Sequence, residues 1–99
     1  MNDWRAAVEK LEEIARTGIA EIGETDKAAL YGAARWLLAD LDAYVEEKAP
    51  YLGEHIERLR WSIGAILGFD ITNGHTGQQH LSWVYGAGHA IQTGLSRSE

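Results

Sequence analysis

The spacing of apolar residues after the single proline, Pro50, constrains the fold most. Apolar side chains follow it at intervals of four, three, four and three: Leu52, Ile56, Leu59, Ile63 and Ile66. An α-helix turns once every 3.6 residues, so this spacing places them along one helix face. Proline suits the first turn of a helix and disfavours helical geometry in the residue before it. The sequence therefore predicts a helix over residues 50–67.

Three further stretches have helical periodicity, over residues 3–22, 26–48 and 77–95. In the second of these, the pattern predicts a buried line formed by Leu30, Ala33, Leu37, Leu41 and Tyr44. Four helices with short connections in 99 residues predict an all-α fold, a compact four-helix, bundle-like single domain over residues 1–99.

Polar residues mark where three of these helices begin, because their side chains can accept a backbone N–H bond. The candidate caps are Asn2 or Asp3, Thr25 or Asp26, and Thr76, which forms a capping box with Gln79. At the other end of the chain, we expect residues 96–99 to fray.

The charge of the chain is unevenly distributed. Residues 1–57 contain 13 acidic and 6 basic residues, whereas residues 58–99 contain 2 and 3. The acidic part disfavours direct contact with nucleic acid and suits a partner protein with a basic surface. The candidate interaction residues are Glu9, Glu12 and Glu13 on the first helix, together with Trp36 and Trp61, which lie off their apolar lines.

Small residues recur at helical spacing in the second half of the chain. Gly64 and Gly68 are four residues apart, and Gly86, Gly88 and Ala90 lie close together in the last helix. A glycine inside a helix costs about 1 kcal/mol relative to alanine, so these residues predict a seam where another backbone approaches closely. The approaching helix can belong to the same chain or to a second copy in a homodimer.

Several classes of protein do not fit the composition. The chain contains no cysteine, which excludes disulfide scaffolds and thiolate metal sites. No apolar run approaches the ~18 residues of a membrane span. The first residues lack the apolar core of a secretion signal, so we expect a cytoplasmic protein without a membrane partner.

The polar loop before the last predicted helix is the candidate chemical site. Gly68-Phe69-Asp70 followed by Thr76-Gly77-Gln78-Gln79-His80-Leu81-Ser82-Trp83 resembles a stretch in small phage-encoded helical dATP/dGTP diphosphohydrolases. In that family a G-x-D turn leads to T-G-x-x-H-[LV]-x-H. Trp83 stands where the family has its second histidine. If the chain acts as a metal-dependent nucleotide hydrolase, Asp70, His75 and His80 are the candidate ligands of a divalent metal, or bases.

The balance of these observations favours a non-enzymatic protein–protein interaction module. Such a module would be an acidic helical adaptor, or an inhibitor of the phage anti-defence type that masks a basic surface. We expect it to be a homodimer and to need no cofactor. The alternatives are the metal-dependent nucleotide hydrolase and a structural subunit of a homo-oligomeric assembly.

Overall fold

Four α-helices form the fold of the computed structural model, which describes residues 3–99. They are α1 (Trp4–Ile19), α2 (Glu24–Lys48), α3 (Gly53–Leu67) and α4 (Gly77–Arg97). A single 3₁₀ turn, Pro50–Leu52, joins α2 to α3. The predicted all-α, four-helix domain is confirmed, and the described residues form no β-strand.

The helices pack so that α1 and α3 lie in the middle. α2 and α4 each pack on both of these helices, and α1 also contacts α3. With 25 residues, α2 is about 37 Å long at 1.5 Å per residue. It therefore runs along nearly the whole of the longest dimension, 39 Å. One side of α2 faces the other helices, and the opposite side faces solvent.

The core contains most of the predicted apolar lines, including the whole line from Leu52 to Ile66 in α3. The predicted line in α2 is partly wrong. Ala34, Leu38, Leu41 and Val45 are buried, whereas Leu30, Leu37 and Tyr44 are half-buried and Ala33 is exposed. The leucines of α2 lie in or beside the buried line, whereas alanine occurs on every side of the helix, so periodicity alone does not fix the exact line that turns inward.

The helix ends differ from the predictions by a few residues. α1 ends at Ile19 because Ala20 adopts an extended conformation. α2 begins at Glu24 after Gly23, so the expected cap at Thr25 or Asp26 is wrong. Its acidic first turn instead stabilises the positive end of the helix dipole.

The predicted caps of α1 and α4 are confirmed. Asp3 caps α1 and accepts from the Ala6 N–H, whereas Asn2 lies outside the described residues. Thr76 and Gln79 form the capping box of α4.

The last residues have more structure and more contacts than the prediction of fraying implies. α4 continues to Arg97, two residues beyond the predicted end. The Trp4 Nε1–H donates to Glu99 Oε1 at 2.9 Å, and Arg5 lies 3.5 Å from the same oxygen. These contacts join the end of the chain to the start of α1.

The small residues of the predicted seam do not form one continuous contact, because those that pack closely lie against different parts of the chain. Gly88 is buried where α4 crosses α1, and a Cβ there would lie 3.3 Å from Val8 Cγ1. The close approach at Gly88 is therefore made within one chain. A Cβ on Gly64 would lie 3.1 Å from Asp70 Cβ, so Gly64 contacts the loop after α3.

Two of the predicted seam glycines make no close approach. Gly68 ends α3 in the left-handed conformation, with φ of 85°, which glycine adopts without strain. No heavy atom lies within 4 Å of a Cβ built on Gly68 or Gly86. Ala90, the last residue of the predicted seam, is half-buried.

Among the described residues, no helix combines the length and the apolar character that crossing a bilayer requires.

Candidate protein-binding face

The solvent side of α2 has a second line of regularly spaced residues. It consists of Ala29, Gly32, Trp36, Ala39 and Ala43, and all five are exposed. We call this line the α2 face. Its spacing of three, four, three and four residues is that of a helix seam that packs on another helix. α2 thus has one apolar side in the core and a second one in solvent.

Trp36 is the most exposed large apolar side chain on this surface, at 77%. An open hollow of about 370 Å³ lies beside it, lined by Gly32, Arg35, Trp36 and Ala39. The small side chains on either side of Trp36 leave the helix backbone accessible. The α2 face therefore offers one bulky aromatic group next to a space that a partner's side chain can fill.

The outward side of α4 provides a comparison within the same molecule. Its exposed residues include Ser82, Tyr85, Gly86 and His89. This surface is mostly polar, as expected for a helix side that faces water. The apolar outward seam is therefore a property of α2 and not of the outer helices in general.

A groove between α2 and α3 borders the second half of α2. It has a volume of about 680 Å³ and is lined by Asp42, Gly53, Glu54, Glu57, Arg58 and Trp61. Glu57 forms an ion pair with Arg60 one turn later. The groove is acidic, because three carboxylates and only one guanidinium line it. The indole ring of Trp61 forms part of its wall.

The predicted acidic residues of α1 lie in different environments. Glu9 and Glu13 are exposed, and Glu13 pairs with Lys10 at 3.5 Å. Glu12 is half-buried beside Gly88. Burial raises the pKa of Glu12 above its ordinary value, although nearby Arg16 opposes this. The acidic surface of α1 is thus smaller than the sequence suggests.

Trp61 packs in a cluster of aromatic rings near the loop between α3 and α4. Its ring stacks on Trp83 with centroids 5.6 Å apart, and the Arg58 guanidinium lies over both indoles. The Trp61 Nε1–H donates to the Ile71 carbonyl at 2.8 Å. Trp61 is therefore only half-exposed, because it holds the loop as well as lining the acidic groove.

His80 is fully buried at the same junction. Its Nε2 lies 3.0 Å from the Thr72 carbonyl oxygen and its Nδ1 lies 3.1 Å from Ser62 Oγ. Because a carbonyl oxygen only accepts, Nε2 is the donor, and in a neutral ring Nδ1 accepts the hydrogen of Ser62. Ser62 is buried as well. The serine–histidine pair therefore joins α3, α4 and the loop.

The three residues predicted to hold a metal lie around this loop. Asp70 Oδ1 accepts from the Ile71 N–H at 2.7 Å, and both ring nitrogens of His80 have protein partners. The His75 ring lies edge-on to His80 with centroids 6.0 Å apart. Within residues 3–99, no group of three or more histidine, aspartate or glutamate side chains is arranged to hold a metal ion.

The leucine pattern of α2 singles out Trp36 as lying off the apolar line but does not mark the seam around it. The signal was present, because Ala29, Gly32, Ala39 and Ala43 have regular helical spacing. Alanine and glycine are weak markers of an apolar line, whereas the leucines of α2 strongly predict an apolar line on the other side of the helix.

Comparison of the chain with known protein families, with curated proteins and with solved structures finds no match.

Proposed function

We propose that the protein is a non-enzymatic interaction module that docks a partner protein on the α2 face. The observation that supports this most strongly is Trp36, 77% exposed at the centre of the seam. Tryptophan is enriched among residues that dominate binding energy. Covering about 200 Å² of apolar surface contributes roughly 5 kcal/mol before the costs of association.

The residues around Trp36 favour a helix as the docked element. Small side chains at Ala29, Gly32, Ala39 and Ala43 allow a second helix to approach closely, with axes about 8 Å apart. Proteins often recognise a partner helix through apolar residues spaced three and four apart, which lie along one face of the helix. The hollow beside Trp36 provides room for one side chain of that helix.

Docking on this face requires no change in the core. All five residues of the α2 face are exposed, and the core contacts of α2 come from the opposite side of the helix. The partner can therefore bind to the helix as it stands, which avoids the cost of rearrangement.

Site-specific photo-crosslinking in the cells that produce the protein tests this proposal. A photoreactive residue is placed at Ala33, which is exposed at the edge of the α2 face. The matched control carries the same residue at Ser82, exposed on α4. We expect one dominant adduct from position 33, none of that mass from position 82, and loss of the adduct when Trp36→Ala is added. Identical adducts from both positions, or none from position 33, would contradict the proposal.

A further inference from the structure

The charges that border the α2 face are strongly one-sided. The acidic residues on its two edges are Asp26, Asp40, Asp42, Glu46 and Glu47, and the basic residue is Arg35. Asp40 and Glu47 follow Trp36 by four and eleven residues, so both lie on nearly the same side of the helix as its ring. Lys48 pairs with Glu47 at 3.6 Å. The excess of acid lies mainly after Trp36.

The acidic edge continues into the groove between α2 and α3. Asp42 lines that groove together with Glu54 and Glu57. A smaller hollow lined by Asp42, Val45, Glu46, Pro50 and Gly53 connects the groove to the end of α2. Next to the Trp36 hollow, a further hollow between α2 and α3 is lined by Arg35 and Arg60. The surface is therefore apolar around Trp36, basic where these two arginines meet, and acidic towards the end of α2.

We infer that the partner segment is an amphipathic helix with a narrow apolar seam flanked by lysine or arginine. This inference rests on the proposed function of the α2 face. The seam covers Trp36 and its small neighbours, and the basic flanks lie against Asp40, Asp42 and Glu46. Complementary charge of this kind speeds encounter and selects partners.

A second copy of the chain is a poorer occupant of the same face. In a parallel pair of α2 helices, Asp40 would face Asp40 of the second copy. In an antiparallel pair centred on Trp36, Asp26 would lie near Glu47 of the second copy. Like charges held together at an interface oppose association, so the charge pattern favours a basic partner over self-association.

Charge reversal within the crosslinking experiment tests the inference. The photoreactive residue stays at Ala33 and the chain carries Asp40→Lys with Glu46→Lys, both exposed residues. The matched control makes the same change in net charge outside α2, through Glu21→Lys, Thr17→Lys and Gln78→Lys, at three exposed residues. Circular dichroism melting shows that each variant is folded. We expect the adduct to fall about tenfold or more in the first variant and to stay unchanged in the control.

The outcomes separate this inference from the proposed function. If Trp36→Ala removes the adduct but reversal of Asp40 and Glu46 does not, the face binds a partner and the basic helix is wrong. If the adduct joins two copies of this chain, the basic helix is likewise wrong. If neither change affects the adduct, the proposed function itself fails. Mass spectrometry of the crosslinked peptide must show lysine or arginine at positions flanking an apolar helical line.

Discussion

The Nδ1 atom of His80 lies 3.1 Å from the Oγ of Ser62, and both side chains are buried between α4 and α3. Replacing His80 with alanine leaves the Ser62 hydroxyl without this partner and opens a cavity. We expect the free energy of unfolding to fall by roughly 2–4 kcal/mol in urea titrations. His89→Ala, exposed on the same helix, is the control and should change it by less than about 0.5 kcal/mol. Equal effects would contradict the role of His80.

Gly88 and Gly86 form a matched pair for the crossing of α1 and α4. A Cβ at position 88 would meet Val8 Cγ1 at 3.3 Å and Glu12 Oε2 at 2.9 Å, whereas position 86 is open. Gly88→Leu should therefore lower the free energy of unfolding by roughly 1–3 kcal/mol through overpacking. Gly86→Leu should raise it by up to about 1 kcal/mol, because leucine favours the helix. Thermal and urea unfolding measure both, and a stabilised Gly88→Leu variant would argue against the close crossing.

Truncation to alanine should lower the free energy of unfolding strongly at Trp4 and hardly at all at Trp36. Trp4 is 3% exposed and Trp36 is 77% exposed. Trp4→Ala removes a core side chain and should cost roughly 3–5 kcal/mol of unfolding free energy. Trp36→Ala should change that free energy by less than about 0.5 kcal/mol. Denaturant titration followed by far-UV circular dichroism checks both values. A large loss in Trp36→Ala would mean that Trp36 supports the fold.

Glu12 gives the fold a small dependence on pH. Burial raises the pKa of Glu12 above its ordinary value of 4.5, with Arg16 opposing the shift. The folded state therefore binds this proton more tightly than the unfolded state does. The associated stability is fully present below pH 4.5 and is lost as the pH rises through the raised pKa.

The variant Glu12→Gln should then be more stable than the parent protein at neutral pH. The difference should shrink as the pH falls through the raised pKa and disappear below pH 4.5. Unfolding measured across a pH series checks this trend. Glu13→Gln serves as the control, because Glu13 is exposed and paired with Lys10. A difference that grows at acid pH would have the wrong sign.

Most of the fold could be predicted from local patterns. The line from Leu52 to Ile66 and the capping box at Thr76 specify helix position directly, because periodicity and capping depend on neighbours within one or two turns. The ends of α1 and α2 were less predictable. Gly18 lies against Leu67 and Ile66, a contact between distant parts of the chain that accompanies the early end of α1.

The candidate site was only partly predictable. Trp36 was identified from its position off the leucine line, and the structure shows it exposed. The sequence also names Glu12 and Trp61 as candidate interaction residues, but Glu12 is half-buried at a helix crossing and Trp61 is held by the aromatic cluster. Each of these differences comes from a contact with a second helix or a loop, and the sequence pattern of one helix carries no information about such contacts.

Local residue patterns specify four helices, their positions to within a few residues, and the buried side of α3. Contacts between helices set which side of α2 faces the core, bring His80 and Ser62 together in the interior, and turn Gly88 towards α1. Helix formation depends on hydrogen bonds and side chains a few residues apart. The choice of the buried side of α2, which has apolar residues on two sides, depends on its packing against α1 and α3.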